Sequence, residues 1–415
     1  MTAATGQRVL YLSYDGMTDP LGASQVLPYL VGLAALGHRI TLVSLEKPGA
    51  SEAARGQVRE QCATAGIDWH MLVYHKQPPI LSTLYDLVVL RRHAERLQAT
   101  QRFDWVHCRS YLTALVGLGL KRKHGLRLLF DMRGFWADER VEGGLWNLAN
   151  PIFRTIYDFF KRREADLLRA ADHIVILTEK GRQVLLDRSD GAAQGQPISV
   201  IPCCVDFAAF DIPAGGDRAH VRGQLGIALD ARVVVYLGSI GTWYMLDEMI
   251  DCFAVERERH PNAILLFISR DDPTVIRAAA AARGLPAAAV EVRPASRAQV
   301  AQYLAVADYG LFFIRPTFSK IASCPTKLGE YLAMGLPVVT NAGVGDVDAI
   351  VEQSGAGVLV EHFDKNGYRA ALERLDDLPR READWRRRAR QWFDLDAGIA
   401  AYDAIYRSPG GERGK

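Results

Sequence analysis

Strand-length apolar runs alternate with helix-period segments along most of the chain, and this alternation limits the fold more than any other feature. Residues 8–14 (RVLYLSY) have the composition of a buried strand, and residues 24–36 carry apolar side chains at helical spacing until Gly37. Strands that alternate with helices are joined by right-handed crossovers into a parallel sheet. Further strands are predicted at 39–45, 69–74, 104–108, 126–131, 173–178 and 198–202.

The alternation stops at residues 207–231, where Pro213, Gly215 and Gly216 predict a linker. A second series follows, with strands predicted at 232–238, 263–269, 290–293, 309–314, 337–340 and 357–360. We therefore expect an α/β fold of two Rossmann-like domains, each with a doubly wound parallel sheet, that face a cleft. The expected boundaries are 1–206 for the first domain, 207–231 for the linker, 232–383 for the second domain and 384–415 for a C-terminal helix.

Charge and cysteine spacing exclude several classes of protein. The chain has 50 Lys and Arg against 48 Asp and Glu, a net charge of +2, so we expect no nucleic-acid partner. Its six cysteines show no C-x-x-C spacing, which argues against a disulfide framework or a zinc site and favours a reducing compartment. No apolar run reaches the roughly 18 residues of a membrane helix, and the N-terminus lacks the pattern of a signal peptide. We expect a cytoplasmic protein.

Two polar segments follow predicted strands in the first half. In the run DPLGASQ, Gly22 can let the backbone approach a ligand, although the run is equally typical of a capped turn. In the run DMRGFWADER, the charged residues Asp131, Arg133 and Asp138 lie where a parallel sheet presents ligands, and Arg109 should point at the same rim. The alternative is a surface loop whose charges pair with one another. His107 lies within the strand before Arg109 and is predicted to be buried and hydrogen-bonded.

Two further segments follow strands in the second half. The run GSIGTWY combines two glycines with the hydroxyls of Ser239 and Thr242, which suits a phosphate-binding turn. Arg270 follows the next strand and could bind a phosphate, or could pair with Asp271 or Asp272.

The most informative segment is the run RPTFSKIASCPTKLGEYLAMGLPVV, which begins at Arg315. Pro325 is predicted at the first position of a helix capped by Ser323 or Cys324. The open start of this helix offers N–H groups to a diphosphate, and Lys327 adds positive charge. A carboxylate one turn further along, Glu330, can accept both hydroxyls of a ribose. The candidate ligand-binding residues of this segment are Arg315, Ser323, Pro325, Thr326, Lys327 and Glu330.

The run SCPTKLGEYLAMGLPVV resembles the donor-site signature of bacterial GT-B-fold glycosyltransferases of family 4. The resemblance covers nearly the whole chain. DPLGASQ looks like the glycine-containing first loop of that family, DMRGFWADE like its D-x-R-G-F/W-x-x-D-E segment, and IPCCVD like its N-G-V-D stretch. The tail at 384–406 is similar to the helix that crosses back to the first domain in that family.

Two positions depart from the family pattern. Glu330 matches the second residue of the family's E-x7-E motif, but Ala322 stands where the first glutamate holds the transferred sugar. The usual Arg/Lys pair after the first strand of the second domain is also missing, with Ser239 at the arginine position and Tyr244 near the lysine position. The diphosphate must then be met by helix N-termini or by Lys327, Arg270, Arg315 or Arg133.

The resemblance implies a retaining glycosyltransferase that needs no metal or other cofactor. It would transfer a sugar from a nucleotide-diphosphate sugar, and from a UDP-sugar in particular, to a hydroxyl of a glycan, lipid-linked or small-molecule acceptor. The residues expected at the acceptor and reaction centre are Arg109, Asp131, Arg133 and Asp138; those expected at the donor are Gly22, Ser239, Thr242, Arg270 and the six residues of the last segment. Three alternatives stay open: a nucleotide-sugar epimerase, a non-catalytic nucleotide-sugar-binding protein and a glycogen-synthase-like polymerase, for which the chain is short.

Peripheral membrane contact is a separate expectation. Basic and aromatic residues share the helical segment 153–163, and apolar residues at 81–97 lie beside Arg91 and Arg92. A basic helix with an apolar face can lie on an anionic bilayer. Such a helix can equally have one face in the core and the other in solvent. The first alternative implies a lipid-linked acceptor at the inner face of the membrane.

Overall fold

The structure, a computed structural model, describes residues 6–211, 218–379 and 381–409 of the chain. The chain divides into two compact units. The first unit consists of Met1–Pro202 together with Leu395–Lys415, and the second unit consists of Cys203–Asp394. Each unit is built on one parallel sheet with helices between successive strands, which confirms the α/β architecture that the alternation predicts.

The sheet of the first unit has seven strands in the order β3-β2-β1-β4-β5-β6-β7. They are β1 (Arg8–Ser13), β2 (Arg39–Glu46), β3 (Asp68–Val73), β4 (Trp105–Arg109), β5 (Arg127–Asp131), β6 (His173–Ile176) and β7 (Ile198–Val200). Neighbouring helices are α1 (Pro20–Gln25), α2 (Leu27–Ala35), α3 (Glu52–Thr64), α4 (Leu81–Gln101), α5 (Ser110–His124), α6 (Trp136–Glu142), α7 (Pro151–Ala170) and α8 (Glu179–Leu186). The order reverses between β1 and β4, the point at which such sheets bind ligands.

The predicted helix over 24–36 is in fact the pair α1 and α2. Val26 separates them with a non-helical backbone (φ −126°, ψ −63°). Pro28 lies in the first turn of α2, where its missing N–H has no helical partner to lose. The apolar periodicity is continuous across this break, so it could not reveal it.

The sheet of the second unit has six strands in the order β10-β9-β8-β11-β12-β13, which reverses between β8 and β11. They are β8 (Val233–Leu237), β9 (Ile264–Ile268), β10 (Val290–Arg293), β11 (Tyr309–Leu311), β12 (Val338–Asn341) and β13 (Gly357–Val360). The helices of this unit are α9 (Arg218–Gln224), α10 (Leu246–Arg259), α11 (Pro273–Ala281), α12 (Arg297–Leu304), α13 (Thr326–Ala333), α14 (Val347–Ser354), α15 (Lys365–Asp376) and α16 (Glu382–Phe393).

Much of the segment 207–231 packs into the second unit instead of forming a free linker. Phe207 and Phe210 are buried in its core. Arg222 of α9 is also buried and donates hydrogen bonds to the carbonyls of Ala231 (2.9 Å) and Val306 (2.9 Å). The proline and glycines that predicted the linker lie in 212–217, outside the described residues. The division between the units falls after Pro202.

The single helix predicted over 384–406 is two helices that belong to different units. The first, α16, packs on α13 and α14, whereas α17 (Leu395–Arg407) packs on α2. Asp394 separates them in an extended conformation (φ −66°, ψ 123°), and Val205 pairs with this point by donating its N–H to the Phe393 carbonyl (2.8 Å). Gly32 lets α17 approach α2 closely, since an added Cβ would lie 2.2 Å from Cδ1 of Ile399.

Three histidines of the first unit lie in hydrogen-bonded positions within the fold. His38 accepts the Gln7 N–H at Nδ1 (3.1 Å), and its Nε2 lies 2.7 Å from Asp403 of α17. His107 Nδ1 lies 2.6 Å from the Tyr406 hydroxyl, which confirms the prediction that His107 is buried and bonded. His173 Nε2 lies 2.8 Å from the Ser199 hydroxyl. Burial lowers the pKa of all three, and that of His173 to about 4.

We expect the protein to lose stability as the pH falls from about 6.5 towards 4, because these histidines bind protons more readily in the unfolded chain. Replacing His173 by Gln, which cannot be protonated, should reduce the decline of the melting temperature across this range. Circular dichroism melts at a series of pH values measure the melting temperature of each protein. The exposed His124→Gln serves as the control. A His173→Gln profile with the slope of the wild type would contradict the prediction.

Candidate functional site

Four segments of the second unit meet at the carboxyl ends of its central strands. The loop after β8 is tied to the loop after β9, because the Ile240 N–H donates to Asp271 (2.5 Å). The same loop is tied to the segment after β11, where Tyr244 pairs with Ile314 and the Arg315 N–H donates to the Trp243 carbonyl (3.0 Å). The start of α13 completes the group through Lys327. This is the sheet edge at which the strand order reverses, so the location suits a ligand site.

Lys327 lies in the first turn of α13 with 5% of its surface exposed. Its ammonium sits over two ring faces, 3.6 Å from the centroid of Tyr244 and 3.9 Å from that of Tyr236. Within the described residues Nζ has no hydrogen-bond partner. Burial therefore holds the pKa of Lys327 well below its usual value, and the charges of Glu330 and Asp271 only partly oppose this.

A second lysine, Lys320, lies in the 3₁₀ turn Phe318–Ala322 and is 6% exposed. Its ammonium lies 3.8 Å from the ring centroid of Trp243. Reasoning from the sequence did not select Lys320, although it lies within the run that resembles the donor signature. The sequence feature that could have indicated a lysine here is the aromatic pair Trp243–Tyr244, which lies near the position where the family carries a cation.

Glu330 is buried one turn beyond Lys327 and forms an ion pair with Arg297, the first residue of α12. The guanidinium of Arg297 also lies over the ring of Phe210 (5.1 Å). Arg297 was missed from the sequence because its partner is 33 residues away. Only Oε1 of Glu330 takes part in this pair, and a carboxylate can accept further hydrogen bonds at its second oxygen.

The start of α13 differs from the predicted cap. Pro325 is itself the N-cap residue (φ −67°, ψ 114°), the helix begins at Thr326, and the N-cap side chain makes no capping hydrogen bond. Ser323 stands two residues before that cap and is half-buried. An uncapped helix start keeps its N–H groups available for an anion.

The other predicted donor residues of the second unit are exposed around this edge: Ser239, Thr242, Arg270 and Arg315. Arg270 donates to the Ala295 carbonyl (3.3 Å). Asp272 caps α11 by accepting the Thr274 N–H (2.9 Å). Asp271 accepts the hydrogen bond from the Ile240 N–H that is described above.

In the first unit, three of the four predicted acceptor-side residues come together at the ends of β4 and β5. Asp131 is 1% exposed; it accepts a hydrogen bond from Tyr402 (3.2 Å) and lies 3.5 Å from His107 and 3.7 Å from Arg133. Arg109 reaches Asp15 at 3.5 Å. Burial alone would raise the pKa of Asp131, but Arg133 and the other cations lower it, so the carboxylate is charged.

Backbone strain marks the same edge. Ser110, directly after β4, has φ +68°, and Arg133, two residues after β5, has φ +59°. Residues other than glycine adopt a positive φ rarely and at an energetic cost. Arg133, which pairs with Asp131, thus adopts a backbone conformation that an arginine does not favour.

Asp138, the fourth predicted residue, lies in a different cluster. It accepts hydrogen bonds from Tyr157 (2.8 Å) and Lys161 (2.8 Å) of α7. Lys161 also pairs with the buried Glu164 (2.9 Å), which in turn pairs with Arg188 (2.5 Å). The structure therefore corrects the grouping of Asp138 with Asp131, because the start of α6 turns its carboxylate towards α7.

The first loop of this unit is organised by a residue that the sequence analysis did not select. Glu46, at the end of β2, accepts hydrogen bonds from the N–H groups of Met17 (2.6 Å) and Thr18 (3.2 Å). Gly22 is required within the protein itself, since an added Cβ would lie 2.2 Å from the Gly16 carbonyl oxygen. The glycine therefore has a packing reason, and the donor contact expected for it stays a prediction.

The described ranges contain no group of three or more His, Cys, Asp or Glu side chains arranged for a metal ion. In the same ranges, none of the helices is long and apolar enough to cross a bilayer. The absence of a metal requirement and the peripheral membrane contact stay predictions.

Solved structures with this fold include GT-B glycosyltransferases. Sucrose-phosphate synthase from Thermosynechococcus elongatus has a TM-score of 0.74 at 18% identity, covering 97% of this chain and 98% of that one. Anabaena Alr3699/HepE in complex with UDP and glucose has a TM-score of 0.71 at 14% identity, covering 97% and 100%. At these identities the likeness establishes the fold alone.

Two family models match successive parts of the chain. "Glycosyltransferase Family 4" matches residues 24–209, and "Glycosyl transferases group 1" matches residues 217–392. The chain belongs to the family 4 glycosyltransferases.

The curated relatives carry the name D-inositol 3-phosphate glycosyltransferase. The protein from Acidothermus cellulolyticus is 26% identical over 313 residues, covering 72% of this chain and 65% of that one. The protein from Kineococcus radiotolerans is 27% identical over 349 residues, covering 76% and 74%. The match thus spans less than two thirds of the length of the first of these relatives.

Replacing Asp138 by Asn should destabilise the protein, because Lys161 would lose a charged partner in a largely buried cluster. The expected loss is about 1.5–3 kcal/mol, the contribution of a hydrogen bond to a charged group. Chemical denaturation measures this loss, with Asp158→Asn, at an exposed position of α7, as the control. An Asp138→Asn protein with unchanged stability and lost transferase activity would instead favour a catalytic role.

Proposed function

We propose that the protein is a retaining glycosyltransferase that transfers a sugar from a UDP-sugar to a hydroxyl of a glycan, lipid-linked or small-molecule acceptor. The observation that carries this proposal is the buried, unbonded ammonium of Lys327 beside the uncapped start of α13, one turn from the carboxylate of Glu330. Positive charge for a diphosphate and a carboxylate for a ribose are adjacent at the sheet edge where nucleotides bind. Relatives named as glycosyltransferases and neighbours in complex with UDP support it.

In this proposal the ribose hydroxyls donate to Glu330. Arg297 orients that carboxylate through Oε1 and leaves its second oxygen for the ligand. The diphosphate lies at the N–H groups of Thr326 and Lys327. Ala322, at the position of the family's first glutamate, is fully buried and offers no polar atom from its side chain. The transferred sugar must therefore be recognised by other groups.

The acceptor is proposed to bind the first unit at the end of β4 and β5. Arg133 and Arg109 supply positive charge there, and Asp131 positions Arg133. Asp131 is itself surrounded by protein, so we assign it to positioning and not to proton transfer. As in the family, the departing phosphate would help to take the acceptor proton, with no protein nucleophile and no metal. The chain's own contribution is then positioning and charge stabilisation.

We also propose contact with the inner face of the membrane through α4. Four apolar side chains lie exposed along one face of this helix: Leu81, Leu84, Tyr85 and Val88. The exposed Arg91 and Arg92 continue the same face, so an apolar patch adjoins positive charge, as in helices that lie on anionic bilayers. Arg91 of α4 pairs with Glu95 (3.0 Å), just as Lys161 and Arg163 of the basic helix α7 form ion pairs, so the row of exposed apolar side chains is what favours α4.

Binding of UDP tests the donor site. The wild-type protein should be stabilised by UDP in a thermal-shift experiment, because a ligand that binds only the folded state raises its stability. Glu330→Gln should weaken UDP about tenfold or more, since a hydrogen bond to a charged group contributes about 1.5–3 kcal/mol. The exposed Glu352→Gln serves as the control.

The outcomes separate the proposal from its alternatives. Unchanged UDP affinity in Glu330→Gln would show that the donor site is assigned to the wrong residues. Release of a free isomerised sugar from a panel of UDP-sugars would favour an epimerase. Saturable binding without hydrolysis or transfer to any acceptor would favour a non-catalytic binding protein.

Sedimentation with vesicles tests the membrane contact. The protein should bind vesicles that contain anionic phosphatidylglycerol more tightly than pure phosphatidylcholine vesicles, and added salt should weaken this binding. The double variant Leu84→Gln/Val88→Gln should lose it. Val275→Gln, at an exposed valine of α11, is the matched control. Equal binding of the double variant and the wild type would contradict the contact.

A further inference from the structure

A buried carboxylate of α4 holds a partly exposed histidine in one orientation. Asp86 Oδ1 lies 2.6 Å from Nδ1 of His75, and Asp86 Oδ2 accepts the backbone N–H of the same residue (3.0 Å). The side chain of Asp86 is 1% exposed, whereas that of His75 is 43% exposed. An ionised carboxylate only accepts hydrogen bonds, so Nδ1 carries a proton. The other ring nitrogen, Nε2, lies on the far side of the imidazole and has no hydrogen-bond partner among the described residues.

The surroundings of Asp86 favour a role for this histidine in binding a ligand. Tyr14, the first residue after β1, donates its hydroxyl to Asp86 Oδ2 (3.1 Å), and burial raises the pKa of Tyr14, so the hydroxyl keeps its proton. Within the described part of the chain, His75 is the only basic side chain that pairs with Asp86. A buried carboxylate is costly to the fold. Proteins use such a carboxylate to orient a histidine whose second nitrogen meets a substrate.

The pair lies at the sheet edge that carries the proposed acceptor residues. The strands β1, β2 and β3 are parallel, so Tyr14 after β1 and His75 after β3 both follow carboxyl ends at the same edge. Asp15, the next residue after Tyr14, meets Arg109 at 3.5 Å. Two consecutive residues of one loop thus contact Asp86 on one side and Arg109 on the other.

An exposed aromatic ring adjoins the imidazole. Tyr85 of α4 is 57% exposed, and its ring meets that of His75 edge-on, with the centroids 5.2 Å apart. A ring face can pack against the C–H groups of a sugar, and a neighbouring polar atom can bond its hydroxyls. A purely apolar ligand would leave Nε2 without a partner. The negative charge of Asp86 behind the imidazole opposes an anion but does not oppose a neutral hydroxyl.

We propose that His75 binds a hydroxyl of a sugar in the acceptor, that Asp86 and Tyr14 position the imidazole, and that Tyr85 packs against the sugar. This inference rests on the proposed function and deepens it, because it makes the acceptor a molecule that already carries a saccharide. The acceptor site then extends from the ends of β4 and β5 to the end of β3. The sugar can belong to a free glycan or to a lipid-linked one, and the test below separates these two sources.

Acceptor kinetics at a saturating UDP-sugar test the proposal, with methyl glycosides, octyl glycosides and octanol as the acceptors. The protein should transfer to glycosides and not to octanol. His75→Phe keeps a ring beside Tyr85 but loses both ring nitrogens. It should raise the KM for the acceptor about three- to tenfold, the value of one hydrogen bond, and leave the KM for the UDP-sugar unchanged. His70→Phe is the matched control, since His70 of β3 also pairs with an aspartate, Asp68 (3.0 Å).

A double-mutant cycle tests the positioning role of Asp86. Asp86→Asn should raise the KM for the acceptor in the wild-type background and add little in the His75→Phe background, because Asp86 acts through that imidazole. Equal effects of Asp86→Asn in both backgrounds, or a matching rise in the KM for the UDP-sugar, would show a merely structural role and contradict the positioning.

The source of the sugar follows from the same kinetics. A lower KM for octyl than for methyl glycosides would assign the sugar to a lipid-linked acceptor, and equal KM values would assign it to a free glycan; either result supports the proposal. A KM for the acceptor within twofold of the wild type in His75→Phe, or an equal rise in His70→Phe, would overturn the inference and leave the transferase itself intact. Efficient transfer to octanol would overturn it as well. A protein that binds UDP but transfers to none of these acceptors would remove the proposed function along with the inference.

Discussion

Parallel pairing across the reversal in strand order is the constraint on which both units depend. In the first unit β1 pairs with both β2 and β4, and in the second β8 pairs with both β9 and β11. Crossover helices leave such a central strand on opposite sides, so the loops after its two neighbours diverge and open a crevice. Arg109 and Asp15 face one crevice edge, and Lys327 and Tyr244 the other unit's edge.

The two edges treat their charges differently. In the first unit, Asp131 lies among Tyr402, His107 and Arg133, and its Oδ1 has no hydrogen-bond partner within the described residues. In the second unit, the ammonium of Lys327 lies over aromatic rings, and the carboxylates of Glu330 and Asp271 act on it without a hydrogen bond to Nζ in the described ranges. The two edges therefore surround their buried charges with different groups.

Periodicity predicted the fold well and the side-chain partners poorly. The buried strand predicted at 232–238 is observed at Val233–Leu237. A continuous apolar run of this length is typical of a strand that is buried on both faces. The break at Asp394 was invisible, since the apolar spacing of α16 continues into α17 and only the pairing with Val205 interrupts it. Arg297 and Lys320 were missed for a related reason. Their partners, Glu330 and Trp243, are distant along the chain, and no local pattern encodes such a contact.

Asp138 illustrates the limit of a motif. Its spacing from Asp131 matches the family segment, yet a helix start lies between them and sends the two carboxylates to different partners. Gly22 shows the converse, because a residue chosen for ligand approach also has a steric reason inside the loop. A sequence motif shows which residues occur together along the chain. The path of the backbone determines which of them lie in the same site.

The position of α17 has a consequence for the order of folding. This helix follows the whole second unit in the chain, yet it packs on α2, and Tyr406 accepts a hydrogen bond from the indole of Trp105 at its carbonyl (2.9 Å) and contacts His107. During synthesis the first unit therefore waits, without one of its covering helices, while the whole of Cys203–Asp394 emerges from the ribosome. The second unit is contiguous and can complete its own core first. The first unit can thus complete its packing only after the second unit has been made.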